Sequence, residues 1–175
     1  MKNLVLLFLG IVLFSCTEIS YKEPQPKGIK ALSKIPSALH GTYHWKGDEQ
    51  DTIIIFDGGF KSIDKKEDAL YVSDSLVLKK YKGNYYINYR DDSRWLLRIL
   101  KPQKNGDLLF MQMKNVPQAG AERQEFIQKL SMETPVVEST VDSTTYFIID
   151  PSPKKLHKLI ESGFFEEHVQ LTKIR

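Results

Sequence analysis

The chain has one cysteine, Cys16, in 175 residues. No disulfide can form within it, so its stability has to come from packing. Long apolar runs are equally scarce: beyond Phe14 nothing approaches the ~20 residues that a helix needs to cross a bilayer. The four histidines are His40, His44, His157 and His168. The first two have a spacing that converges only on a helix, and they straddle Gly41 at the entrance to a strand, so no metal set is nominated. There is no Gly-x-Ser-x-Gly elbow, phosphate loop or dinucleotide fingerprint. The common enzyme classes are thereby disfavoured, no catalytic residue stands out, and no cofactor is called for. Acidic residues gather at Asp48, Glu49 and Asp51 and at Asp91 and Asp92. Turns favour such residues, and neither group fits the calcium-binding loop. Charge bias is small, a formal +3 that includes Lys2, far from the strongly basic footprint of a nucleic-acid partner. Charged residues at 27% and hydrophobic ones at 41% are globular values.

What is present begins at the first residues. Lys2 precedes a nearly unbroken apolar run from Leu4 to Phe14, interrupted by Gly10 and followed by Ser15 and Cys16. A short apolar run with a basic start and a small residue at its end reads as a cleaved signal peptide. Leu13-Phe14-Ser15-Cys16 resembles the lipobox of bacterial lipoproteins. That resemblance implies a signal peptide over 1–15, a diacylglyceryl group on the Cys16 thiol, and cleavage before that residue. It implies export and lipid anchoring in the cell envelope, with the outer membrane favoured over the inner. Two or more acyl chains hold a protein stably where one does so only marginally, so the membrane is the first expected partner.

Residues 16–35 hold Pro24, Pro26, Gly28 and scattered lysines with no apolar period. This composition predicts a flexible tether, with 36–175 as a single globular domain. Within that domain, Gly41 to Lys46, Thr52 to Phe56, Phe60 to Ile63, Leu76 to Tyr81, Tyr85 to Arg90, Trp95 to Lys101 and Leu108 to Met113 read as strands. Asp57-Gly58-Gly59, Lys82-Gly83-Asn84, Asp91-Asp92-Ser93 and Lys104-Asn105-Gly106 separate them. Ala119 to Leu130 is a predicted helix with Phe126, Ile127 and Leu130 on one stripe. Met132 to Ser143 reads as irregular and Thr144 to Ile149 as a strand. A helix capped at Asp150-Pro151 and stopped at Gly163 carries Leu156, Leu159 and Ile160 inward, and His168 to Ile174 closes the chain as a strand. The expected class is mainly β with flanking helices (α+β): an antiparallel meander curling into a barrel or sandwich, with two helices in the C-terminal third. Leu39-His40-Gly41-Thr42-Tyr43 entering a string of hairpins resembles the opening of lipocalin-like barrels, with Tyr43 where that family carries tryptophan. That resemblance implies a barrel whose mouth takes a small apolar ligand.

One further pattern is the mixture of tyrosines and cations in the meander. Tyr86, Arg90 and Arg98, placed on one exposed face, would form a binding face for a protein or glycan partner, since tyrosine and arginine are enriched at interfaces. The alternative is that the aromatics fill the core while the cations coat the surface. Two roles follow. The first is a non-enzymatic, membrane-anchored binding or interaction domain facing a partner in the envelope. The second is a carrier of a small apolar ligand, for which a hollow interior argues and a filled one argues against.

Overall fold

The computed structural model describes residues 19–45, 48–63, 69–141 and 144–174. The leader and Cys16 lie outside the described residues, as do the side chains of Asp48, Glu49 and Asp51. The elements in chain order are β1 (Ile19–Tyr21), β2 (Ala31–Leu32), a 3-10 turn (Ser37–Leu39), β3 (Gly41–Trp45), β4 (Asp48–Phe56) and β5 (Gly59–Ser62). They continue with β6 (Leu70–Tyr71), β7 (Leu76–Tyr81), β8 (Asn84–Asp91), β9 (Arg94–Pro102), β10 (Leu108–Met113) and α1 (Gly120–Glu133). The last are β11 (Val136–Val141), β12 (Thr144–Ile149), α2 (Pro153–Glu161) and β13 (Phe165–Ile174).

The strands form one curled, mostly antiparallel sheet, a half-barrel. Its central meander β7-β8-β9-β10 is held by tight turns, and Lys82 (φ 47°) and Gly83 (φ 81°) both take the left-handed conformation that a two-residue hairpin loop requires. From β10 the sheet runs through β13, β3, β4 and β5 to β6, and β2 pairs with β7. A branch leaves β9 at Trp95, which pairs with Tyr21, and leads through β1 and β12 to β11.

The central strands carry buried side chains on both faces. On β9, Leu97 and Ile99 face one core and Leu100 the other. On β8, Tyr86 faces the first, and Tyr85, Ile87 and Tyr89 the second. The first core is covered by the helices. Leu130 of α1 and Leu156 and Leu159 of α2 are completely buried there, and the rings of Phe126 and Phe164 meet edge to face with centroids 5.5 Å apart. The second core lines the concave side, with Ile35 and Leu39 packed against Tyr43, Ile55 and Leu108.

Three expectations change here. The helix α2 starts two residues later than expected: Ser152 is its N-cap, its Oγ accepting from the Lys155 amide at 3.4 Å. Asp150 instead accepts from Lys27 Nζ at 2.7 Å. The stretch expected to be irregular contains β11, because Val136, Val137 and Thr140 are β-branched and pair with β12 from Val136↔Ile149 to Val141↔Thr144.

The largest correction concerns residues 16–35. From residue 19 onward this is not a flexible tether. Strand β1 runs parallel to β12 (Ile19↔Phe147, Tyr21↔Ile149) and all three of its residues are buried. Gln25 is wholly buried; its amide donates to Asn88 Oδ1 at 2.6 Å and its carbonyl accepts from Asn88 Nδ2 at 2.8 Å. Lys79 Nζ donates to the carbonyls of Pro24 at 2.6 Å and Pro26 at 3.0 Å. Burial holds the Lys79 ammonium below the usual lysine range, opposed by the charge of Glu23. The segment shows no hydrophobic period because, between the apolar anchors Ile19, Tyr21 and Ile35, residues 24–26 are held through their backbone by polar groups more than fifty positions away in the chain, on β7 and β8. Among the described residues, those from Ile19 to Ile35 therefore belong to the folded body, which is not confined to residues from 36 onward.

Candidate functional site

The concave side of the half-barrel is hollow. A cavity of about 640 Å³ lies over β4, β8, β9 and β10, inside the range of about 300–1,000 Å³ typical of small-molecule sites. Its walls are apolar: Ile53 and Ile55 come from β4, Ile87 and Tyr89 from β8, Leu100 from β9 and Phe110 from β10. Trp45, at the end of β3, closes one side. Its ring lies 6.5 Å from that of Phe110 and 6.3 Å from His168, and Phe110 and His168 are 6.2 Å apart, so three rings brace one another at that wall.

The rim is formed by the short strand β6. Leu70 (63% exposed) and Tyr71 (59% exposed) belong both to the cavity wall and to the outer surface. The Tyr71 ring stands edge-on to Phe56, with centroids 5.9 Å apart. Strand β6 approaches Gly59 of β5 so closely that a Cβ there would collide with the Leu70 carbonyl. Glycine is required at that position by proximity.

Two cations border this apolar space. Arg98 pairs in register with Ile87 and projects on the cavity side; its Cζ lies 5.3 Å from the Tyr89 ring, and its Nη1 donates to the Leu97 carbonyl at 3.0 Å. Arg90 is exposed at the mouth, its amide donating to the Ser75 carbonyl at 2.8 Å and its Nε to the Asp92 carbonyl at 3.1 Å. No Asp or Glu is among the described residues of the cavity lining.

The binding face expected from Tyr86, Arg90 and Arg98 is therefore only partly assembled. Arg90 and Arg98 both border the cavity, but Tyr86 leaves the set: it is fully buried in the core beneath the helices, pairing with Ile99. The reason is the two-residue strand period. Tyr86 pairs across from Ile99, and Arg98, one position earlier on β9, falls on the opposite side of the sheet. Burial raises the Tyr86 phenol above the usual tyrosine range, with Asn84 opposing and Tyr81 adding a smaller upward push. Tyr43 is raised likewise, by burial and then by the charge of Asp107. That carboxylate ties the β9–β10 loop to β13: Oδ1 accepts from the Lys173 amide at 2.9 Å, and Oδ2 from Gln170 at 3.0 Å and Asn105 at 2.7 Å.

The other polar residues singled out by sequence do not gather. His40 Nε2 lies 2.8 Å from the Ile35 carbonyl, and His44 Nδ1 lies 3.2 Å from Thr52 Oγ1. His157 faces Glu161 at 3.2 Å along α2. Asp91 forms a 2.6 Å ion pair with Arg94, whose guanidinium stacks on Tyr146 at 3.4 Å. Among the described residues no three metal-ligating side chains come together. The cavity residues missed by sequence reading, Trp45, Phe60, Tyr71 and Phe110, belong to strands distant in the chain. The alternation on each strand was their only local signal. No known protein family, curated protein or solved structure matches the chain.

Proposed function

We propose that this protein is a lipid-anchored, extracytoplasmic binding protein of the bacterial envelope that holds a small apolar ligand in its half-barrel without transforming it. The observation that carries the ligand reading is the apolar cavity of about 640 Å³ on the concave face. A sheet face that served only for packing would fill that volume with side chains, because protein interiors are close-packed and tolerate few voids larger than a water molecule. The anchoring reading rests on the lipobox-like Leu13-Phe14-Ser15-Cys16 at the end of the apolar leader.

Two experiments test the two halves. A chain beginning at residue 17 is titrated with N-phenyl-1-naphthylamine, whose fluorescence rises in apolar surroundings, beside an Ile53→Trp variant that places an indole in the cavity. Saturable binding by the wild type that the folded variant loses is the expected result. Equal responses from both would refute the ligand reading. For anchoring, cells are fed labelled palmitate, and label is expected on the wild type and absent from Cys16→Ala. Undiminished label on that variant would refute the lipid assignment.

A further inference from the structure

We infer that the open edge of strand β11 pairs antiparallel with β11 of a second copy of this chain, with Ser139 at the two-fold axis. The inference goes beyond the ligand reading and does not depend on it.

The edge comes first. The sheet ends at β11 on one side and at β6 on the other. Strand β6 has 2 residues, whereas β11 has 6, Val136–Val141. Among the described residues β11 pairs with β12 alone, so no strand lies beside the backbone N–H and C=O groups of its outer side. Such an edge is a template for pairing with another strand, and folded proteins blunt it with lysine, proline, a bulge or a covering element. Strand β11 has no lysine and no proline, and its register with β12 is unbroken from Val136↔Ile149 to Val141↔Thr144. Val136, Val137, Thr140 and Val141 are β-branched, the type that fits a pleated surface. The one charge, Glu138, pairs in register with Phe147 on the helix-covered face, and Arg123 of α1 neutralises it at 3.1 Å. Helix α1 therefore meets β11 on a face and not along the edge. Val137, on the other face, is left 46% exposed.

Symmetry then selects the occupant and the register. A two-fold axis between antiparallel strands of one sheet stands perpendicular to that sheet and keeps each side chain on its own face. A residue can then oppose only itself or a residue an even number of positions away, because side chains alternate between faces. Centring the axis on Glu138 sets two carboxylates against each other, which is destabilising. Centring it on Ser139 sets hydroxyl against hydroxyl, Val137 against Val141, and the Glu138 carboxylate against the Thr140 hydroxyl. No like charges then face each other, and the exposed Val137 gains an apolar neighbour. The strand is complementary to itself in that register. Pairing from Val137 to Val141 makes a small interface, below the ~1,200 Å² of stable complexes, so the dimer is weak and reversible.

Disulfide trapping of the full chain in intact cells tests this. The two copies of residue 139 would face each other with Cα atoms about 4.5–5.5 Å apart, within disulfide reach. The two copies of residue 137 would be four positions out of step, about 14 Å along the strands, and out of reach. Cells producing Ser139→Cys, Val137→Cys or the wild type are treated with copper phenanthroline and read on non-reducing gels. The wild type, whose one thiol is Cys16, sets the background. Ser139→Cys is expected to yield a reducible dimer, about fivefold or more above Val137→Cys. Adding Thr140→Glu, which sets a carboxylate against Glu138, should cut that yield about fivefold, whereas Thr140→Lys should keep it. No dimer from Ser139→Cys above the background, or equal yields from the two cysteine positions, would overturn the inference. So would a yield indifferent to Thr140→Glu. A Ser139→Cys adduct with a protein of another size would also overturn it, because the occupant would then be a different protein.

Discussion

A chain that begins at Pro36 tests whether residues 19–35 are a spacer or part of the body. If they are a spacer, the shortened chain keeps its stability. If they are body, it loses three buried anchors: Ile19 and Tyr21 of β1, and Ile35, each at most 1% exposed. Full burial of a large apolar side chain contributes about 1.5–3 kcal/mol, so the three together amount to roughly 5–9 kcal/mol, an upper estimate because unfolded chains already bury some of this surface. Native domains as a whole are stable by only about 5–15 kcal/mol. Truncation also leaves the Lys79 ammonium and the Asn88 side chain without the carbonyls and amide that now satisfy them. The expected outcome is a Pro36 chain without a cooperative thermal transition by circular dichroism, beside an Ile19 chain that melts cooperatively. Melting temperatures within about 3 °C of one another would refute the reasoning, since a domain of this size shifts by about 2–4 °C per kcal/mol. Asn88→Ala offers a graded version. It strands the buried backbone amide and carbonyl of Gln25 at about 1–3 kcal/mol each, and the melting temperature of the otherwise intact chain should fall by about 4–24 °C.

Other expectations can be checked on the same material. Tyr43 and Tyr86 are raised above their ordinary value of 10.0 in the folded state, so the stability they contribute is present below that pH and is lost as pH climbs beyond it. Urea titrations from pH 8 to 11 should show a decline that is shallower in Tyr86→Phe, and an unchanged slope would contradict the assignment. Lys79 acts in the opposite sense: its folded value lies below 10.5, so the cost of burying its charge is relieved as pH rises toward 10.5. Lys79→Met should therefore make the alkaline decline steeper, and a shallower one would be the contrary result. Gly59→Ala drives a methyl group into the Leu70 carbonyl and should cost about 1–3 kcal/mol. Because it displaces β6 at the cavity rim, it should also weaken naphthylamine binding, and full retention of both would show that β6 is not needed for the site.

Much of the sheet was legible from local chemistry. The turns at Asp57-Gly58 and Lys82-Gly83 and the alternation on β8 and β9 each lie within a few residues, and the structure has hairpins at those places. The stop at Gly163, in the left-handed region at φ 76°, was equally local, as was the inward stripe Leu156-Leu159. The N-cap of α2 was misplaced because Asp150 and Ser152 are both good caps, and a distant cation, Lys27, engages the first. Strand β11 was missed because its partner β12 supplies the pairing that the polar Glu138 and Ser139 do not announce.

The site follows the same division. The sequence by itself determined the two-residue alternation that sends Tyr85, Ile87 and Tyr89 to one side of β8 and Tyr86 to the other, because side-chain direction on a strand depends on the backbone alone. It also determined that stability comes from packing without a disulfide, because the chain has one cysteine. Only the tertiary structure decided which side is hollow, and that Arg98 rather than Tyr86 borders the hollow. Only it decided that residues from Ile19 to Ile35 belong to the body. Those outcomes depend on the curl of the sheet and on contacts such as Lys79 with Pro24 and Asn88 with Gln25, between groups separated by 55 and 63 positions. No periodicity read over a short window carries information across that distance.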